Sequence, residues 1–260
     1  MKRSTILAVT TCTAVAAFGG WMAFCGYKWG WGPFIKLHDL KIASFPGNGS
    51  QYSIDHVQKQ EFSPLTEKRV VFLGSSITYG AASKGVSFAD YIAARHGCEI
   101  IKEAVSGTTL VDSGVSSYVA RLKKLKTKNV DLFVCQLSTN DANQNRPLGA
   151  ISVDGNYDTS TVAGAIEFII DYAKETWSCP VVFYTNPRFN SESYAAMVRL
   201  LQEIAEKHEI AVIDMWNDVN FNAVSDEQRA LYMSDPIHPT QAGYHEWWTP
   251  FMEKALLEMV

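Results

Sequence analysis

The chain has 260 residues, 47% hydrophobic and 19% charged, enough apolar material to bury a full core in one or two domains. Its 23 basic and 27 acidic residues leave a net charge of −4 with no basic run that could follow a phosphate backbone, so nucleic acid is not expected as a partner. Five cysteines without a C-x-x-C pair imply neither a zinc site nor a disulfide framework, and Cys135, inside an apolar run, reads as a small core residue.

Lys2 and Arg3 open the chain, and no further charge occurs until Lys28. The uncharged stretch from Ser4 to Tyr27 exceeds the roughly 7–15 apolar residues of a signal-peptide core and approaches the roughly 20 that span a bilayer. No A-x-A cleavage signal follows, and Trp21, Trp29 and Trp31 suit a membrane interface. Residues 1–31 are therefore expected to direct export and to stay as a membrane anchor, with a cleaved, secreted form as the alternative. Without Lys2 and Arg3 the extracytoplasmic remainder has 21 basic and 27 acidic residues, a charge of −6. Residues 32–68 are weakly periodic and punctuated by Pro33, Pro46-Gly47-Asn48-Gly49 and Pro64; they read as a linker and lead-in that packs against the domain and carries no identifiable chemistry.

Val70 to Leu73 is a short apolar run between Arg69 and Gly74, a buried strand or a piece of buried helix. A helix is expected over 88–96, with Phe88, Tyr91 and Ile92 on one face and Gly97 as its stop. A strand over 99–105 ends at Ser106-Gly107-Thr108-Thr109, and a basic helix over 117–126 turns Tyr118, Val119 and Leu122 inward. A strongly apolar strand over 130–137 ends at Ser138-Thr139-Asn140-Asp141, followed by a polar loop near a site over 144–158. Helices over 161–177, 191–208 (N-capped by Ser191) and 241–259, with strands over 180–184 and 210–215, complete the chain. Strands alternating with helices argue for βαβ units and a parallel sheet covered on both faces, a single three-layer α/β domain over 69–260.

The chemistry-bearing residues stand at the carboxyl ends of the expected strands, where open α/β sheets bind ligands. Gly74-Ser75-Ser76 follows the first strand, and Asp235-Pro236-Ile237-His238-Pro239 lies near the C-terminus. The two prolines stiffen the D-x-x-H segment, so Asp235 could accept a hydrogen bond from one imidazole nitrogen of His238 and leave the other free to take a proton. His38, His56, His96 and His208 have no such neighbour and are placed on the surface; His245 is structural or at the rim of the site. The elbow G-x-S-x-G does not fit, because position 78 is Thr.

As an ordered set these residues resemble the SGNH (GDSL-type) hydrolases, which are mostly esterases and lipases. Gly74-Ser75-Ser76-Ile77-Thr78 is similar to the family's first block, Gly107 to its second, Asn140-Asp141 to its third and Asp235-x-x-His238 to its last, over residues 69 to about 250. The resemblance implies a flavodoxin-like α/β/α sandwich with a central, mostly parallel five-stranded sheet. It implies Ser76 as nucleophile, His238 as base and Asp235 as the residue orienting it. The backbone N–H groups of Ser76 and Gly107, with the Asn140 amide, would form the oxyanion hole. Two positions depart from the family: its aspartate before the nucleophile is Ser75 here, and its glycine two before the asparagine is Ser138. The expected protein is an exported serine esterase acting on small-molecule or glycan esters, without metal or organic cofactor. The alternatives are an O-acetyltransferase using the same triad, or a catalytically silent carbohydrate-binding module with Tyr244, Trp247 and Trp248 as a stacking platform.

Overall fold

The computed structural model describes residues 18–28, 30 and 32–260. Five parallel strands, β1 (Arg69–Gly74), β2 (Glu99–Ala104), β3 (Leu132–Gln136), β4 (Val181–Tyr184) and β5 (Ala211–Ile213), form one sheet in the order β2-β1-β3-β4-β5. Helices α1 (Ile35–Ala43), α2 (Ser76–Tyr79), α3 (Phe88–His96), α4 (Tyr118–Leu122), α5 (Thr139–Asn143), α6 (Val162–Trp177), α7 (Glu192–His208), α8 (Val219–Asn222), α9 (Asp226–Tyr232) and α10 (Thr249–Leu257) surround it. The strand order reverses between β1 and β3, and the crevice outside their carboxyl ends is the natural ligand position in such a sheet.

Side chains alternate across each strand, which gives the sheet two cores. Val71, Leu73, Phe133, Cys135 and Phe183 face one way and pack with residues of α4, α6 and α7, among them Val119, Ile166 and Leu201. Val70, Phe72, Leu132, Val134 and Tyr184 face the other way and pack with α3 and the closing helix through Phe88, Ile92, Trp248 and Met252. Both faces are thus covered, as the near-continuous apolar runs of a parallel sheet require.

Several local expectations change in the structure. The closing helix is not uniform: a π-helical turn over Gly243–Trp248 precedes α10. Pro250 lacks the N–H that an α-helical i→i−4 bond would use, and the wider turn sits just before it. His96 and His208 are not on the surface, because helix packing brings them partners from distant parts of the chain. His96 is fully buried between Ser63 Oγ at 2.7 Å and Glu253 Oε2 at 3.3 Å. His208 lies between Glu167 Oε1 at 3.0 Å and Asp171 Oδ1 at 3.1 Å. The loop over 144–158 starts beside α5, with Gln144 and Arg146 N–H groups donating to Asn140 O and Asp141 O, and then runs to Ser152, whose N–H donates to Glu167 while Lys207 bonds both Ser152 O and Glu167. The anchor expected over residues 1–31 lies mostly outside the described residues; 18–28 are helical, and among the described residues no helix is long and apolar enough to cross a membrane.

Candidate active site

β1 delivers the chain to the site through a turn that only glycine can start. A Cβ on Gly74 would sit 1.7 Å from Thr78 Oγ1 and 2.8 Å from Gln136 Oε1. The turn closes on Gln136, the last residue of β3, whose Oε1 accepts from Ser75 N–H at 2.9 Å, from Thr78 Oγ1 at 2.8 Å and from Ser75 Oγ at 3.3 Å. Ser75 is therefore fully buried and turned toward the sheet. The next residue, Ser76, begins α2 and places its Oγ 2.8 Å from His238 Nε2. Of the two serines, the structure brings this one to the imidazole.

His238 Nδ1 lies 2.8 Å from Asp235 Oδ2 and 3.0 Å from Oδ1. A carboxylate only accepts, so Nδ1 carries the hydrogen and the Nε2 lone pair of the neutral ring accepts the Ser76 hydroxyl. Asp235 is itself held by the N–H groups of Ile237 and His238, each at 2.8 Å from Oδ1. Burial works to raise the Asp235 pKa, but the hydrogen bond and charge of His238 and these two N–H donors outweigh it and hold the carboxyl below its ordinary value. The segment is closed by Ser234 N–H donating to His238 O and by a bridge between Met233 and Pro239.

Three further residues line the same cleft. Ser76, as first residue of a helix, leaves its N–H without an intrahelical acceptor. Gly107 lines the cleft with a φ of +79°, a left-handed conformation that favours glycine. The Asn140 amide donates one hydrogen to Thr108 O at 2.9 Å and keeps a second. Asn140 does not cap α5: Ser138 does, accepting from Asn140 N–H, which accounts for serine where the resembled family has glycine.

Residues that sequence reasoning left without a role hold these groups in place. Asp141 is fully buried and accepts from the N–H groups of Leu110 at 2.7 Å and Val111 at 3.2 Å, tying α5 to the loop that carries Gly107. Burial pushes the Asp141 carboxyl up, against the pull of its hydrogen bonds. Arg121, on the expected basic helix, is also inward: it donates to Gly74 O at 2.8 Å, Glu103 O at 2.7 Å and Thr108 Oγ1 at 3.2 Å, lacing the Gly74–Ser76 turn to the Gly107 loop. Neither signal could be read from spacing, since the partners come from different strands.

The site opens into a cleft of about 740 Å³ lined by Ser76, Gly107, Asn140 and His238, with Tyr79, Lys84 and residues of α1 on its other walls. His38 belongs to that wall, and none of the residues 144–158 does. Tyr244, Trp247 and Trp248 cannot form a platform for sugars. They are buried, with Tyr244 Oη donating to Ile77 O at 2.6 Å and Trp247 Nε1 to Phe221 O at 2.8 Å. Among the described residues no group of three or more His, Cys, Asp or Glu is arranged to hold a metal ion.

A sequence model of the GDSL-like Lipase/Acylhydrolase family matches residues 72–246, about two-thirds of the chain. The chain belongs to that family. By that membership it is a serine-type carboxylic ester hydrolase. The hydrolase is similar in fold to a protein of Lactobacillus plantarum, with 19% identity, a TM-score of 0.65, and 75% of this chain and 99% of the other covered. It is similar also to two acetyl xylan esterases. One has 15% identity, a TM-score of 0.53 and coverage of 72% and 99%. The other, from Geobacillus stearothermophilus, has 14% identity, a TM-score of 0.53 and coverage of 75% and 96%. A comparison with curated proteins gives no match.

Proposed function

We propose that the hydrolase cleaves esters by a two-step acyl transfer on Ser76, with His238 as general base and acid and Asp235 as its orienting partner. The observation that carries this is the unbroken chain from Ser76 Oγ to His238 Nε2 (2.8 Å) and from Nδ1 to Asp235 (2.8 Å), open to a cleft. A serine hydroxyl is a poor nucleophile until an adjacent base takes its proton. Ser76 Oγ attacks the ester carbonyl as its proton passes to Nε2. The oxyanion then faces the N–H groups of Ser76 and Gly107 and the free amide hydrogen of Asn140, each such donor being worth about 100- to 1000-fold in rate. Collapse expels the alcohol with the proton from His238. Water, deprotonated by the same nitrogen, then releases the acid and restores Ser76.

The proposed substrates are acetyl esters of hydroxylated compounds, glycans among them; the acetyl xylan esterases of similar fold favour this reading. Export with retention at a membrane through residues 1–31 is proposed on the charge and length of that segment. The test is hydrolysis of p-nitrophenyl acetate, butyrate and octanoate by the full chain. Ser76→Ala should lower kcat by roughly 10⁴-fold or more. Ser75→Ala should keep substantial activity, because Ser75 Oγ faces Gln136 of β3 rather than His238. Loss confined to Ser75→Ala would sink the assignment.

A further inference from the structure

Helix α1 stands outside the matched family domain, which begins at residue 72. The similar structures are themselves covered to 96–99%, while a quarter of this chain has no counterpart in them. Yet α1 forms a wall of the catalytic cleft. Ile35, His38, Asp39 and Ile42 line it together with Ser76 and His238. Their spacing of i, i+3, i+4 and i+7 is a single helical face.

The wall is bolted to the domain. Asn48, almost fully buried just after α1, donates to Ile42 O and to Ala82 O, each at 2.8 Å, and accepts from Gln241 N–H at 2.8 Å. Lys84, also on the cleft, donates to Asn48 O at 2.6 Å. Three parts of the chain distant in sequence are thus joined at one side chain, and α1 is held against the cleft.

The chemistry of that face is specific. His38 Nδ1 lies 3.1 Å from Tyr27 O. A carbonyl only accepts, so Nδ1 is the donor, and Nε2 of the neutral ring is an acceptor. Asp39 presents a second acceptor, a carboxylate. Two acceptors side by side suit hydroxyl donors. An alkyl chain laid along them would strip water from a carboxylate and return no hydrogen bond, which is unfavourable.

We infer that α1 is a specificity wall, in which His38 and Asp39 accept hydrogen bonds from hydroxyl groups on the alcohol portion of a polyhydroxylated ester. The inference rests on the hydrolase site proposed above. Its test compares kcat/KM of the full chain for acetylated xylo-oligosaccharides and for p-nitrophenyl acetate, whose leaving group has no hydroxyls beside the ester. Asp39→Ala and His38→Ala should each lose about tenfold or more on the oligosaccharide ester relative to p-nitrophenyl acetate, mainly through KM. Asn48→Ala, which frees the wall, should narrow the same preference. Leu40→Ser, on the exposed side of α1 (67% accessible), should leave both substrates as they were. Thermal melting of each variant separates lost folding from lost selectivity. Equal losses on both substrates, or none, overturn the wall while leaving the triad standing. A wild type active on p-nitrophenyl acetate but inert on the acetylated sugar also overturns it. A folded wild type inert on every ester overturns the site itself.

Discussion

Gln136 does for the Gly74–Ser76 turn what spacing gave no reason to expect. Its Oε1 collects the Ser75 N–H, the Ser75 hydroxyl and the Thr78 hydroxyl, and the side chain is fully buried. Gln136→Leu would take this acceptor from a buried N–H and two buried hydroxyls, a cost of about 1–3 kcal/mol or more. Urea melts should show that loss, and kcat should fall with KM little changed, since the turn positions Ser76 rather than binding substrate. Asp235 supports a pH prediction. Its folded pKa lies below its unfolded one, so its contribution to stability is present above the ordinary carboxylate value of about 3.9 and fades as pH falls through the folded value. The stability gap between wild type and Asp235→Asn should therefore be full at neutral pH and close in acid, measured by denaturant midpoints across pH. A gap that widens in acid would contradict the reading. Ser76, His238 and Asp235 were legible in sequence as residue types; the partners that orient Ser75, Asn140 and Gly107 were not, because hydrogen bonds between strands leave no periodic trace.

Strands were the most legible elements. Each expected run of apolar residues contains an observed strand, because a buried parallel strand must be apolar on both faces and ends where polar turn residues begin. Short helices such as α2 and α5, of four and five residues, escaped notice: barely one turn long, they give no repeat of the 3.6-residue period. They are nonetheless the elements that place Ser76 and Asn140. The β1–α2 turn is correspondingly intolerant. Gly74→Ala would drive a methyl group to 1.7 Å from Thr78 Oγ1 and 2.5 Å from its Cβ, so Thr78 or the turn must shift, and the expected shift disturbs the 2.8 Å contact between Ser76 Oγ and His238. The expected result is soluble but inactive protein or no folded protein. Wild-type kcat from a folded Gly74→Ala variant would contradict the geometry.

At the scale of the whole molecule, the lead-in before residue 69 is part of the folded domain rather than a tether. Leu65 is fully buried in the core shared by α3 and the closing helix, and Tyr52, Ile54 and Val57 pack against the same core. Leu65→Ala should cost about 2–5 kcal/mol, a size set by how far the cavity can collapse, and should lower Tm without altering the ester preference. A cost within about 0.5 kcal/mol, the range of surface substitutions, would place Leu65 outside the core.

Read alone, the sequence determined the layered α/β class, the position of every strand and the presence of a Ser-Ser pair and a D-x-x-H segment at strand ends. Those depend on local composition: apolar runs of strand length, glycine at a turn, an aspartate three residues before a histidine. Tertiary structure alone decided which of two adjacent serines meets the imidazole, that Tyr244, Trp247 and Trp248 are core, and that α1 walls the cleft. Each of these turns on contacts between residues far apart in the chain, such as Ser75 with Gln136 or Asn48 with Gln241, and no local pattern encodes them.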